Sequence, residues 1–399
     1  MSLGHGRTYL AIPGPSVMPD RVLRAMHRAA PNIYEGELPD MMPGLLRDLK
    51  AVARTEGHCA IYIANGHGAW EAALANVLGP GDKALALCTG RFGHGWAEVA
   101  ESLGSDVEIL DFGLRGPIDM SRVAERLAAD DGHTIKAVLS VFVDTSTSVK
   151  NDIAGVRAAM DEAGHPALLM ADCIASLACD PFEMDAWGVD VTVTGSQKGL
   201  MTPPGLGFVF FNERADAVRR AMPRVTKYWD WQPRTRPEGF YQYFNGTAPT
   251  HHLYGLRAAL DMIGEEGIEA IWARHEALAG AVWAACEAWS AEGPLELNVA
   301  DRKDRSRAVT TLRIGREHGP ALREWAEHRA GVTLGIGLGM ADPDDPMSHG
   351  YFRIGHMGHV NAHMVLGALS VIEAGLRATG VTIGQGALDA AAAEIARRA

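Results

Sequence analysis

The sequence is short of basic residues, of cysteine and of long apolar runs, and each shortage excludes something. Lys and Arg number 37 against 49 Asp and Glu, a net charge of −12. Nucleic acid and anionic membranes select basic surfaces, so neither is expected as a partner. The five cysteines (Cys59, Cys88, Cys173, Cys179, Cys286) are an odd number, scattered mostly inside apolar runs, with no CxxC pair. They read as reduced core residues in a cytoplasmic compartment rather than a disulfide framework. No uninterrupted apolar run reaches the roughly 20 residues of a membrane helix. The first residues, MSLGHGRTYLAIPGP, match neither a signal peptide nor a transit peptide. The closing Ala-Arg-Arg-Ala399 forms no organelle address.

What is present is material for large cores. Hydrophobic residues make up 47% of 399, which suggests two domains. From about residue 58 to 211 short apolar runs alternate with amphipathic stretches, the pattern of a mainly parallel sheet covered on both faces. Strands are expected at His58–Ala64, Lys83–Cys88, Val107–Leu110, Ile135–Phe142, Ala167–Ala171 and Val189–Thr194. Helices are expected from Asp20 to Ala30, Met42 to Ala53, near Ala69 onward, Met120 to Ala129, Asn151 to Ala163, His251 to Ile263 and Ile268 to Ser290. A smaller α+β unit follows. The expected division is an arm at 1–19, a large domain at 20–265 and a small domain at 266–399.

The chemistry is concentrated in residues 167–211. One apolar run ends on Asp172 and the next on Gly195-Ser196-Gln197-Lys198, with Pro203-Pro204-Gly205 closing the loop. Strand ends in an open α/β sheet deliver side chains into the ligand crevice. A desolvated lysine suits Schiff-base chemistry, and an acid suits the ring nitrogen of pyridoxal phosphate. Upstream, Asn65-Gly66-His67-Gly68 joins a strand to a helix N-terminus, where free N–H groups and the helix dipole favour phosphate. Arg353-Ile-Gly-His356 offers a guanidinium able to grip a carboxylate with two parallel hydrogen bonds.

The runs Asp172-Cys-Ile-Ala-Ser176, Gly195-Ser-Gln-Lys198-Gly and Pro203-Pro-Gly205 resemble the fold-type I, class V aminotransferases, and within them the alanine–glyoxylate, serine–glyoxylate and serine–pyruvate group. The likeness extends from Ile12-Pro-Gly-Pro15 to Arg353-Ile-Gly-His356. It implies a large domain with a mainly parallel seven-stranded sheet and a smaller α+β C-terminal domain. It also implies pyridoxal 5'-phosphate on Lys198, with Asp172 at the ring nitrogen. Asn65, Gly66, His67 and Gln197 are implied as cofactor contacts, Phe92 as the ring against the cofactor, and Thr145 as a hydroxyl near it. Phe244 and Thr247 are implied to serve the cofactor, Thr247 reaching the phosphate of a neighbouring subunit in an obligate homodimer. Arg353 and Tyr34 are the implied substrate contacts. The implied reaction moves an amino group from serine or alanine to glyoxylate or pyruvate.

Departures from the commonest pattern are Val143, Ser148 and the segment Asn32-Ile-Tyr-Glu35. A pyridoxamine–pyruvate transaminase, a cysteine desulfurase-like lyase and a non-catalytic binding protein on the same scaffold are the competing readings. The lyase is disfavoured by Gln197 and Phe92 at positions where those enzymes carry histidine. His356, His359 and His363 are assigned no metal, because Gly355 and Gly358 break the helical face they would need. Gly335-Ile-Gly-Leu-Gly339 lacks the spacing of a dinucleotide site and reads as a loop beside the substrate.

Overall fold

The computed structural model of the chain describes residues 2–342 and 344–398. Its apolar runs become twelve strands: β1 (Tyr9–Ala11), β2 (His58–Ala64), β3 (Lys83–Cys88), β4 (Asp106–Asp111), β5 (Ile135–Val141), β6 (Leu168–Asp172), β7 (Val191–Gly195), β8 (Gly205–Phe211), β9 (Glu296–Leu297), β10 (Val309–Arg313), β11 (Val332–Ile336) and β12 (Tyr351–Gly355). Seven form one sheet in the order β2-β8-β7-β6-β5-β3-β4. Only β8 runs against its neighbours β2 and β7, and all other pairings are parallel. This is the mainly parallel seven-stranded α/β sheet expected.

Both faces of the sheet are dry. Along β8, Leu206, Phe208 and Phe210 enter one core while Val209 and Phe211 enter another, and Leu169 and Ala171 of β6 part from Leu168 and Met170 in the same way. A period of two with both faces apolar is what a sheet covered by helices on each side requires. The parallel strands and β2 open their C-terminal ends on one edge, and the site residues lie along it.

The second sheet is β1-β11-β12-β10-β9. It is antiparallel except that β1 runs parallel to β11, Tyr9 opposite Val332 and Ala11 opposite Leu334. Residues 9–11, read from sequence as part of an arm, are therefore a strand beside β11. The core beneath this sheet gathers Trp289, Phe352, Leu369 and Leu376 from the strands and the helices Ile268–Trp289 and Ala362–Ala378.

Several boundaries differ from expectation for local reasons. The first helix is Asp20–Met26 and stops short of Ala30, and Pro31, which cannot donate to a carbonyl four residues back, bars any continuation beyond. The helix expected near Ala69 begins at Gly66, since Asn65 caps it by accepting from Gly68 N at 3.2 Å, a cap worth about 1 kcal/mol. Asn151 does not open the next helix. Its buried amide bonds Thr89 Oγ1 and Val141 O, and Asp152 caps Ile153–Glu162 instead. Ser148, one of the departures, has φ +62°, a glycine-favouring conformation, and its Oγ accepts from Thr311 N at 3.1 Å. Among the described residues no helix is long and apolar enough to cross a membrane.

Candidate active site

Asp172 ends β6, with Val141 of β5 and Val193 of β7 opposite it in the sheet. Its carboxylate is buried and accepts two hydrogen bonds, from Trp70 Nε1 at 2.8 Å and from Ile174 N at 2.6 Å. Burial pushes it up to about 7 against the pull of those two donors. A carboxylate has about four acceptor directions, so part of its capacity is unspent.

Lys198 follows β7 on a tight turn. Ser16 holds that turn to the N-terminal segment, Oγ donating to Lys198 O at 2.7 Å and Ser16 N to Gln197 O at 2.8 Å. Lys198 Nζ donates to the carbonyl of Pro13. Gly14 lies flat on the lysine chain at φ +101°, where a Cβ would stand 2.5 Å from Nζ, 2.6 Å from Cε and 2.7 Å from Cδ. Only glycine allows both that conformation and that approach. Burial, and then the cation of Arg353, bring the Lys198 ammonium down to about 8.

At the end of β2 the amides of Gly66 and His67 open the helix Gly66–Val77 and have no acceptor among the described residues. Gly195 faces them: a Cβ there would lie 3.0 Å from Gln197 Oε1 and 3.7 Å from Gly66 N. Gln197 Oε1 is itself buried without a partner. This is a small polar cradle, closed on one side by Ile174, whose Cδ1 would be 2.5 Å from a Cβ on Gly66. Beside it stand three rings, His67 at 4.6 Å from Trp70 and Phe92 at 6.3 Å from Trp70. Phe92 is fixed through its backbone, since Phe92 N and Gly93 N donate to Asp144 Oδ2 at 2.8 and 3.2 Å.

Arg353 reaches the cleft from β12. Its Nε donates to Ile336 O at 2.6 Å and its Nη1 to Thr145 O at 2.8 Å. Nη2 has no acceptor among the described residues. Burial draws the guanidinium down to about 10, opposed by the charge of Asp144. Thr145 thus enters the site through its carbonyl.

The structure brings Lys198, Asp172, Asn65, Gly66, His67, Gln197, Phe92, Thr145 and Arg353 to one edge, and it leaves three expected residues elsewhere in the chain. Tyr34 is 87% exposed, on a loop whose backbone is turned outward by Asn32 Oδ1 accepting from Tyr34 N. Thr247 is exposed. Phe244, implied as a cofactor contact, is fully buried just after the short 3-10 turn Phe240–Tyr243, its ring centroid 5.9 Å from Phe240 and 6.3 Å from Tyr243. Sequence reasoning missed Trp70, Pro13, Gly14 and Asp144. Trp70 alone left a trace, four residues and so one helical turn beyond Gly66. His356 offers no free ligand atom, both ring nitrogens being taken by Thr310 Oγ1 and Arg307 O.

Residues 50–343 match the protein family described as aminotransferase class-V. The chain is 36% identical to a serine–glyoxylate aminotransferase of Arabidopsis thaliana over 98% of this chain and 95% of that one. It is 35% identical to an L-aspartate–glyoxylate aminotransferase of Paracoccus denitrificans over 96% and 94%. Among solved structures it is similar to pyridoxamine–pyruvate aminotransferase from Mesorhizobium loti, with a TM-score of 0.86, 26% identity and 99% of each chain covered. The residues present fit pyridoxal phosphate: unpaired amides and an orphaned buried amide oxygen for a polar group, rings for a flat heterocycle, and an acid with spare acceptor capacity below it. The chain belongs to the class V aminotransferases, and pyridoxal phosphate is its cofactor.

Proposed function

We propose that this chain transfers the amino group of a small L-amino acid, serine or alanine, to glyoxylate or pyruvate. The observation that carries this reading is the meeting, over Asp172, of an amine brought down to about 8 with a buried guanidinium whose Nη2 is unspent. The serine–glyoxylate and aspartate–glyoxylate activities named for the relatives support a glyoxylate acceptor. Residues 20–265 act as the cofactor-binding domain, and 266–399 as the domain that carries Arg353.

When bound, pyridoxal phosphate supplies an aldehyde that condenses with amines and a ring that takes up electron density from the amine-bearing carbon. Asp172 holds a proton on the ring nitrogen through its unspent acceptor direction, and Trp70 and Ile174 N fix its orientation. Gly66 N and His67 N, at the positive end of their helix, and Gln197, from the turn after β7, would hold the phosphate. Arg353 Nη2 orients the α-carboxylate of the donor. Lys198, brought down to about 8 and so with a large neutral fraction at pH 8, takes the proton from the donor's Cα and returns one to the acceptor's carbon in the second half of the cycle. The Pro13 carbonyl receives its Nζ–H whenever the lysine is free. Phe92 and His67 close the outer side against water.

A second copy completes the site in this reading, as a cytoplasmic homodimer. Thr247 and Tyr34 are exposed and Tyr241 is 64% exposed, all available to reach a neighbour. The five free, buried cysteines suit a reducing compartment.

A half-reaction screen tests the reading. Purified protein carrying its cofactor is offered single amino acids while the visible absorption is followed. L-serine or L-alanine is expected to convert the cofactor to its amine form, glyoxylate to reverse the change, and Lys198→Ala to abolish both. An unchanged spectrum with every small amino acid sinks the proposal, and conversion by pyridoxamine in their place points to the pyridoxamine–pyruvate activity.

A further inference from the structure

A short stretch of chain joins the arginine of the cleft to the turn that carries the lysine. Arg353 lies in β12, which ends at Gly355, and three residues later Gly358 packs on the Lys198 turn. At φ +78° a Cβ on Gly358 would stand 3.1 Å from Lys198 O and 3.2 Å from Ser16 Oγ, so glycine alone suits both the conformation and the approach. Ser16 Oγ donates to that same Lys198 O at 2.7 Å. Gly358, Ser16 and Lys198 therefore form one contact. From Arg353 to Gly358 the backbone spans at most about 18 Å, and what holds its far end also bears on how the amine stands against the guanidinium.

That far end is gripped by the long helix Ile268–Trp289. His275, fully buried on it, has its Nδ1 2.9 Å from Ile271 O, and its Nε2 accepts from Gly358 N at 3.1 Å. A carbonyl only accepts, so the proton sits on Nδ1 and Nε2 is left as the acceptor. Both ring nitrogens are spent. Burial, and then the charge of Arg274, bring the imidazole down to about 3, which keeps it neutral while the enzyme works. Arg274 takes the carbonyls of the same loop, Gly358 O at 3.2 Å and Val360 O at 2.9 Å, and is itself held by Glu266 at 2.6 Å. The Cys179 thiol also faces the Gly358 amide, but burial pushes it up to about 12, so it stays an uncharged and weak acceptor.

Resting on the aminotransferase reading, we propose that His275 is a positioning residue for the reaction: by holding Gly358 N it sets the Lys198 turn against Arg353, and with it the reach of Nζ to the carbon whose proton it moves. A base must stand within about 3 Å of the group it deprotonates, and a misplacement of about 1 Å costs about 100-fold in rate. An apolar side chain at 275 would fill the space and leave the Gly358 N–H without that acceptor.

Two variants separate positioning from packing. His275→Phe keeps a ring and loses both hydrogen bonds, whereas the amide of His275→Gln has an oxygen for Gly358 N and an N–H for Ile271 O. With L-serine or L-alanine as donor and glyoxylate as acceptor, kcat is expected to fall about 100-fold in His275→Phe, with a smaller change in KM, and to recover most of that loss in His275→Gln. The second readout needs no turnover: the pH midpoint of the visible absorption of the bound cofactor, which reports the proton on its link to Lys198. It is expected to rise by about 0.5 pH unit in His275→Phe, because a loosened turn lets Nζ move away from Arg353, whose charge lowers it, and to stay in place in His275→Gln. If His275→Phe does not fold, His275→Asn, too short to meet both partners, takes its place with the same expected rise. A midpoint and a kcat unmoved in whichever of these folds overturn the proposal, and so does an equal loss in His275→Gln. Failure of the aminotransferase reading shows separately, as no spectral change of the unaltered protein with any amino acid, while the midpoint is still read.

Discussion

Two carboxylates stand at the same edge of the large sheet and are used in opposite ways. Asp144, just beyond β5, is fully buried and accepts from Phe92 N, Gly93 N, Ser146 N and Ser146 Oγ. Those four donors use its whole acceptor capacity, and its charge sits at a helix N-terminus, where the dipole welcomes it. The fit is tight enough that a Cβ on Gly90 would lie 2.5 Å from Asp144 Cγ. Asp172, at the end of β6, is equally hidden but has two donors. The first carboxylate is consumed in holding Phe92 in place; the second is left able to bind something else. Burial alone does not mark a functional acid, whereas burial with unspent acceptor directions does.

The sharpest way to break that contrast is to neutralise each acid. Asp172→Asn is expected to lower turnover by about 10³-fold while the far-ultraviolet circular dichroism stays native, since it removes a group that manages a proton. The same variant tests the sign of the linkage in the cofactor-free chain. Asp172 is raised from 3.8 to about 7, so between those values the folded chain keeps a proton that the unfolded chain has released. Stability therefore declines as pH rises from 4 to 7, by about 1.4 kcal/mol per unit from this group, and Asp172→Asn flattens the slope in denaturant titrations. Asp144→Ala should do the reverse: a loss of about 3 kcal/mol in stability from orphaned buried N–H groups and a lost helix cap, with turnover falling only through the displaced Phe92 and Arg353. If Asp144→Ala left the midpoint of denaturation unmoved, the contrast between the two acids would collapse.

Asp172 and Lys198 were legible in the sequence because each ends an apolar run, and strand ends in an open sheet have one place to point. The sheet itself was legible for the same reason, its runs being apolar on both faces. What could not be read depends on contacts between distant segments. Lys198 Nζ meets a carbonyl 185 residues away, and nothing near Gly14 announces that a side chain there would strike it. Asp144 is separated from Phe92 N by 52 residues and looked like one more loop acid. Tyr34 and Thr247 sit on exposed loops, away from the edge that gathers the other residues.

Trp70 gives the smallest and most discriminating change, because it moves Asp172 further from the condition of Asp144 without removing it. Its indole N–H, 102 residues away in sequence, donates to Oδ2 at 2.8 Å and pulls the carboxyl down against burial. Trp70→Phe keeps the ring against His67 and removes only that donor. A hydrogen bond to a charged group contributes about 1.5–3 kcal/mol, and this one is worth most where Asp172 is charged, opposite a protonated ring nitrogen. Cofactor affinity is thus expected to weaken by roughly tenfold, and the acid-side slope of stability in the cofactor-free chain to extend above pH 7. Calorimetric titration with pyridoxal phosphate and denaturant melts at pH 6, 7 and 8 read both. An affinity loss with no upward extension of the slope would mean that the indole acts by shape alone, and that two donors and one are equivalent to Asp172.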